Sequence, residues 1–440
     1  MGVEDFDMKK LVYVGCALLS SSVWAVPEIT DIGMVRSNGG SYAISYRLTG
    51  GPAVVTLDIV TNGVSVGRAG LGIPVGEANA WVEDGLHRIK WCPANTLRVA
   101  GIESINAKAV LTAWTPNRMP DYLVCDLTGG DRPRYFVNEA DLPGDSGAQG
   151  DVYKTEKLLL KFVRARDVAW PMGASTNEAG FIGWNVDKNA QVVGNQGGEP
   201  LRQVMLKRNY YLGVYEVTQE QWRRVTGTNP SAFATADGSA KRPVDNVSYN
   251  MLRVSTGSGW PSGGHATVGD FALAKFRAKA SLALDLPTEA QWEYACRAGS
   301  GSPFAGNRTI SGVAAAAKGE GDATVVPELD DLARYAGNGT ETAVVGSYAP
   351  NAWGFYDLHG NVQEWVLDFC NPWPAADGLV VDPTGGTGSE AFAGTTRVLK
   401  GGAYNSSARR CRSAARRFNV PNGAQPSFGF RLCWTVEEAN

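Results

Sequence analysis

The chain has 440 residues, 44% of them hydrophobic and 19% charged, with 53 glycines and only three histidines. That apolar share is enough for two or three cored domains and excludes long intrinsic disorder. With 41 basic against 44 acidic residues, the formal charge of -3 offers no field to hold nucleic acid.

The first segment reads as a targeting signal. Met8-Lys9-Lys10 precedes an apolar run from Leu11 to Leu19 and then Ser20-Ser21-Ser22-Val23-Trp24-Ala25. A basic start, a short apolar stretch and small exit residues make a secretory signal peptide over 1–25, with Met8 as the true start and cleavage after Ala25. The run is too short to span a membrane permanently. The mature chain is therefore expected to be secreted or periplasmic, with no membrane span and no nucleic-acid partner. Cys16 leaves with the signal. The six remaining cysteines are then expected in disulfides, because the compartment is oxidising and the number is even.

Residues 26–127 read as a small all-β sandwich. Tyr42, Ile44, Tyr46 and Leu48 alternate with polar or small residues, as do Val55, Leu57 and Ile59, and a period of two puts one face in a core. Asn62-Gly63 supplies a tight hairpin turn. His87 to Cys92 and Ile105 to Trp114 complete the set. Cys92 and Cys125 are the only cysteines here and are expected to pair.

From 128 to 157 the composition turns to Gly, Pro, Asp and Ser, which predicts a linker. Gly144-Asp145-Ser146-Gly147 matches the nucleophile tetrapeptide of trypsin-like proteases. That chemistry needs a histidine base in a packed double barrel, and the only upstream histidine, His87, belongs to the small β domain.

The remainder, 158–440, reads as one larger, loop-rich unit. Thr218 with Gln221 and Thr288 with Gln291 form capping boxes that open two helices, ended by Gly227 and Gly299. Trp222 and Val225, and Trp292, Ala295 and Cys296, supply their inward faces.

Four segments carry a family resemblance when taken together. They are Tyr211-Leu212-Gly213-Val214-Tyr215-Glu216-Val217-Thr218, Leu286-Pro287-Thr288-Glu289-Ala290-Gln291-Trp292-Glu293-Tyr294, Gly354-Phe355-Tyr356-Asp357-Leu358-His359-Gly360-Asn361-Val362-Gln363-Glu364-Trp365, and Arg397-Val398-Leu399-Lys400-Gly401-Gly402-Ala403-Tyr404 leading to Gly429-Phe430-Arg431. In this order they resemble the sulfatase-modifying-factor family, typified by the formylglycine-generating enzyme. The resemblance implies an α+β, irregular fold related to C-type lectins. It also implies an oxidase that converts a sulfatase cysteine to formylglycine with a copper ion held by two thiolates, a sensible ligand pair for Cu(I).

This sequence departs from that pattern where the chemistry would occur. The first copper-ligand position falls on Ser406, no residue is assigned to the second, Ala403 stands at the active-site serine and Gln363 replaces a tryptophan. Copper is therefore not expected, and the chain reads as a non-catalytic binding module, with oxidation of sulfatase cysteines as the alternative. The iron centre of other relatives needs several histidines, which three scattered histidines cannot supply.

The resemblance implies further assignments. Calcium is expected at Asp357 and Glu364 with the carbonyls of Gly360 and Val362, hard oxygen ligands that suit it; alternatively, Asp357 and Glu364 pair with C-terminal arginines. Cys411 is expected to bridge to Cys296, leaving Cys370 with Cys433. Between Arg397 and Arg431 there are eight basic residues and no acid. Arg412, Arg416 and Arg431 are read as buried partners of carboxylates such as Asp245, Glu293 or Glu364. Tyr404, Asn405, Ser406, Ser407, Arg409, Phe418, Asn419 and Phe428 are read as the ligand face, for an unidentified protein, peptide or glycan.

Overall fold

The computed structural model describes residues 26–436 apart from 38–39, 68–70, 72–73, 94–105, 130–131, 145, 179–198, 254–270, 309, 311–321, 371–377 and 384–395. The segment read as a signal peptide, with Cys16, lies outside the described residues.

Two sheets form the N-terminal domain. One has the order β1 (Glu28–Arg36), β2 (Tyr42–Thr49), β7 (Gly85–Trp91), β5 (Val75–Gly76); the other has β4 (Val64–Ser65), β3 (Ala53–Thr61), β6 (Ala80–Val82), with β8 (Ala107–Trp114) along the free side of β3. The period-two reading holds. Tyr42, Ile44, Tyr46 and Leu48 are buried while their alternates are exposed, and they meet Val55, Leu57 and Ile59 in one core. Asn62 and Gly63 both take positive φ, 52° and 83°, which is what a tight hairpin between β3 and β4 demands.

The domain boundary differs from expectation. β9 (Tyr122–Asp126) does not belong to the sandwich; it lies in a five-stranded sheet of order β10 (Arg134–Phe136), β9, β11 (Lys157–Val163), β14 (Tyr210–Gly213), β20 (Cys433–Thr435). The segment 128–157 is correspondingly no free linker. It contributes β10, and Leu142, Ala148 and Tyr153 are buried beside Tyr122, Leu159 and Val214. Its turn-forming residues make short helical turns on the sheet, a use that composition alone does not separate from a tether. Across the boundary the Tyr135 amide donates to Asn79 O at 3.0 Å, and Arg134 Nη1 donates to the carbonyls of Pro74 and Ala78.

The second unit is strand-rich, with three helices of eight or nine residues: α1 (Gln219–Thr226), α2 (Ala272–Ala280) and α3 (Glu289–Arg297). Both capping boxes form, Thr218 with Gln221 and Thr288 with Gln291. Gly227 ends α1 at φ 79°, and α3 ends at Arg297 with Ala298, one residue before Gly299, as its left-handed cap at φ 45°. Two further sheets frame the centre: β12 (Ala169–Met172), β13 (Arg202–Met205), β16 (Leu379–Val381), and β18 (Arg416–Asn419), β17 (Arg397–Lys400), β15 (Gln363–Phe369), β19 (Phe428–Gly429). All seven residues of β15 are buried, so its side chains define the interior on both faces.

None of the three expected disulfides is formed; Cys92, Cys125, Cys296, Cys370, Cys411 and Cys433 are all free. Cys92 is exposed in the sandwich domain, whereas Cys125 is in the core of the second unit's large sheet, because β9 changed sides. Cys296 and Cys411 sit in different apolar clusters. The His359 ring lies between them, bonded to the Cys411 carbonyl and 3.7 Å from the Cys296 sulfur. Cys370 and Cys433 share a cluster yet remain thiols, Cys433 facing the Gln291 amide oxygen. Among the described residues no helix is long and apolar enough to cross a membrane.

Candidate functional site

The turn leading into β15 organises the interior. Asp357 and Asn361 take φ near 60°, and Gly360 has φ 114°. A side chain at Gly360 would meet the Arg334 carbonyl at 2.1 Å, so the position requires glycine. The turn is anchored by Glu216, which accepts the Asn361 side-chain amide at 2.6 Å and the Val362 backbone amide at 3.0 Å. Glu216 stands in the Tyr211–Thr218 motif, but nothing in the sequence announced that it reaches across the fold.

Two residues on, Glu364 accepts Arg431 through both oxygens and also the Trp292 indole N–H at 2.7 Å. The arginine pairing read from the sequence therefore holds for Glu364. Asp357 instead accepts the Gly346 amide on Oδ2, while its Oδ1 is buried with no partner. Three buried carboxylates thus cluster near one guanidinium, which bonds only Glu364 among them. Burial, followed by their mutual repulsion, pushes Glu216 well above the carboxylate range. Burial lifts Asp357 to about 6 against the opposing Gly346 bond and Arg431 charge.

The expected calcium donors fit only in part. Asp357 keeps one unused oxygen, but the charge of Glu364 is already matched by Arg431, and calcium takes six to eight oxygens. Among the described residues no group of three or more His, Cys, Asp or Glu side chains is placed to hold a metal.

The stretch Gly401 to Ser406 runs beside this turn. Tyr404 N donates to Asn361 O, and Gly402, at φ 72°, leaves room for the Cys411 sulfur that a side chain there would strike at 2.7 Å. Ser406 Oγ accepts the Ala403 amide at 3.0 Å and faces Gln363 Nε2 at 3.4 Å. Gln363 Oε1 is buried and unpartnered. Cys411 contacts the Ser407 carbonyl, and burial pushes its thiol up to about 12. A hydroxyl and a neutral thiol stand here, not a thiolate pair.

Cys296 and His359 also fail as a nucleophile and base. His359 Nδ1 donates to Cys411 O and its Nε2 accepts the Ala305 amide, so both ring nitrogens are committed. Burial drives His359 down to about 4 and Cys296 up to about 12, so each stays neutral.

The expected ligand face divides. Asn405 is exposed and Arg409 and Asn419 are half-buried, which suits contact with a partner. Tyr404 is 8% exposed, its ring edge-on to Phe233 at 5.3 Å. Ser406, Ser407, Phe418 and Phe428 are buried, contrary to the exposed role read for them. Phe418 faces Val398 in the β17–β18 pairing within the second apolar cluster, and Phe428 packs edge-on to Trp365. Strand pairing, which a loop-rich reading misses, turns them inward.

The arginine reading is largely met, with changed partners. Arg412 binds Glu199 through two nitrogens and Glu178 through one, and Arg416 reaches Glu289. Glu293 instead meets Lys400 and Arg297; burial opposes its ionisation, but the two cations outweigh it and hold the carboxyl at about 2. Asp245 meets no arginine: it accepts the Ala232 amide, its Oδ2 has no partner, and burial raises it to about 6.

Residues 171–436 match the family described as Sulfatase-modifying factor enzyme 1-like domain. The formylglycine-generating enzyme of Streptomyces coelicolor is 34% identical over 215 residues, 48% of this chain and 57% of that protein. A protein named Chaperone protein LppX from Paenibacillus barcinonensis is 28% identical over 244 residues, 51% of this chain and 79% of its own length. The solved Treponema denticola variable protein 1 superposes with a TM-score of 0.46 at 23% identity, covering 64% of this chain and 96% of that one. The chain spans about half the length of the formylglycine-generating enzymes from Streptomyces coelicolor and Thermomonospora curvata that it matches. The family match covers more than half of the chain, and with the ordered motifs and the helix-poor second unit it leads to one conclusion: this chain belongs to the sulfatase-modifying-factor family.

Proposed function

We propose that this chain is an exported, non-catalytic member of its family that binds a protein, peptide or glycan through the surface carrying Asn405, Arg409 and Asn419. The observation that carries the reading is the pair Ser406 and Cys411. The Ser406 hydroxyl is tied to Ala403 and Gln363, and Cys411 supplies a single sulfur beside it, wedged against Gly402. Soft ligation of Cu(I) calls for two thiolates.

The alternative is oxidation of sulfatase cysteines to formylglycine; several relatives are named formylglycine-generating enzymes. Incubation with copper and a Cys-x-Pro-x-Arg peptide, followed by mass spectrometry for the aldehyde, separates the two. Unmodified peptide is the expected result, and turnover would overturn the binding-module reading. Binding itself is tested on glycan and peptide arrays, where Asn405→Ala with Arg409→Ala should remove the signal.

For calcium at the Asp357 turn, the unpartnered Asp357 Oδ1 argues in favour and the Arg431 clamp on Glu364 argues against. Calorimetric titration with calcium chloride decides: heat that disappears in Asp357→Asn supports a site there, and its absence removes calcium from the proposal. Export is supported by the Met8 to Ala25 pattern and is tested by N-terminal sequencing of the mature protein.

A further inference from the structure

Where the sandwich meets the second unit the two do not close completely. They leave a cleft of about 970 Å³, within the usual range for small-ligand sites. Its sandwich wall follows a ladder of cross-strand pairs on β3 and β8: Thr56 opposite Thr112 and Asp58 opposite Val110 line it, and Trp114, opposite Val54, lines its inner end. Val54 and Trp114 pack into the core of the second unit, so the ladder runs from an apolar closed end, through hydroxyls, to a charged end at solvent. Lys157, Asp126, Arg134 and Phe136 line the cleft from the other unit.

The polar groups are already oriented. The Trp114 indole donates to Thr56 Oγ1 at 2.8 Å, and Asp58 accepts Ser65 Oγ at 2.8 Å. Lys157 lies 3.6 Å from Asp126 across the β9–β11 pairing, and Arg134 is fixed by two backbone carbonyls. A ligand entering here meets donors and acceptors whose ordering cost has been met on folding.

The lining also selects by charge. Three acids, Asp58, Asp126 and Asp141, face three bases, Arg132, Arg134 and Lys157, so the charges sum to zero. No net field favours an anion or a cation. The lining groups combine hydroxyls, planar carboxylates and two guanidinium groups with two aromatic rings. That combination matches a molecule dense in hydroxyls with apolar C–H faces, since carboxylate and guanidinium each bind two adjacent polar atoms and rings cover the apolar face.

We propose that this cleft is a binding site for a neutral saccharide, separate from the surface around Asn405. The test is calorimetric titration of the full chain with cellotetraose, maltotetraose and tri-N-acetylchitotriose. At least one is expected to bind with Kd at or below ~1 mM, the weak end of specific recognition. Val110 is 43% exposed, so Val110→Trp fills the cleft without disturbing the core; it should weaken that binding about tenfold or more, and Asp58→Asn should weaken it as well. Both variants should keep the parent Tm. Absence of binding by all three sugars overturns the proposal. So does binding that neither variant changes, which would place the sugar elsewhere, or a tighter response to a sulfated heparin tetrasaccharide or to a peptide library.

Discussion

Arg431 holds Glu364 through two parallel bonds, Nε to Oε2 and Nη2 to Oε1, each 2.7 Å long and fully buried. The same guanidinium donates to the carbonyls of Gly213 and Tyr356, so it links β14, the turn before β15 and the C-terminal segment. It also offsets Glu216 and, together with Lys154, Asp357.

Removing that cation should be severe. Arg431→Met leaves Glu364 buried without a partner and is expected to cost about 3–5 kcal/mol in urea unfolding. Adding Glu364→Gln should recover part of the loss, because the stranded charge goes with it. If the double variant is no more stable than the single one, the pair's role lies in packing and not in charge.

His359 makes a signed pH prediction. Its folded pKa, about 4, lies below the ordinary histidine value of about 6.5, so the unfolded chain binds the extra proton. The stability it contributes is complete above pH 6.5 and is lost as pH falls towards 4, by about 3 kcal/mol in all. Asp357 and Asp245, both raised to about 6, act with the opposite sign, since stability from a raised carboxyl fades as pH rises through 6. Wild type and His359→Gln are therefore compared at each pH. Their stability difference should grow from pH 4 to 6.5, and a constant difference would show that the ring is not buried neutral.

The thiols give a covalent test. Alkylation of the native protein should mark Cys92 alone, since the other five described cysteines are buried. After denaturation without reductant, peptide mapping should recover Cys125, Cys296, Cys370, Cys411 and Cys433 as alkylated thiols. A peptide joining Cys296 to Cys411, or Cys370 to Cys433, would contradict the arrangement described.

The cap of α3 tests a local contribution. Thr288 Oγ1 accepts the Gln291 amide at 3.1 Å, and Gln291 Oε1 accepts the Thr288 amide at 2.9 Å. Thr288→Ala should cost about 1 kcal/mol, read from the shift of a denaturation curve. Thr218→Ala should cost more, because Thr218 Oγ1 also donates to Lys154 O at 2.8 Å.

Much of the local structure was legible in the residues. The alternation in β2 and β3, the Asn62-Gly63 turn and both capping boxes depend on neighbours a few positions apart. The helix Ala272–Ala280 was not anticipated, although its Ala, Lys and Arg content favours it. At the candidate site, the pairing of Arg431 with Glu364 was readable from the basic, acid-free stretch between Arg397 and Arg431. The burial of Ser407, Phe418 and Phe428 was not, because it depends on how β15, β17, β18 and β19 align.

By itself the sequence determined the chemical inventory: which side chains carry charge, where backbone periods change, and that residue 406 offers a hydroxyl and not a thiol. Only the tertiary structure decided which charge meets which. Glu216 crosses 145 positions to clamp Asn361, and Glu199 crosses 213 to reach Arg412. It also placed β9, read as part of the sandwich, and the segment 128–157, read as a linker, in the second unit. The physical reason is that hydrogen bonds and ion pairs act over a few ångströms in space, whatever the separation along the chain.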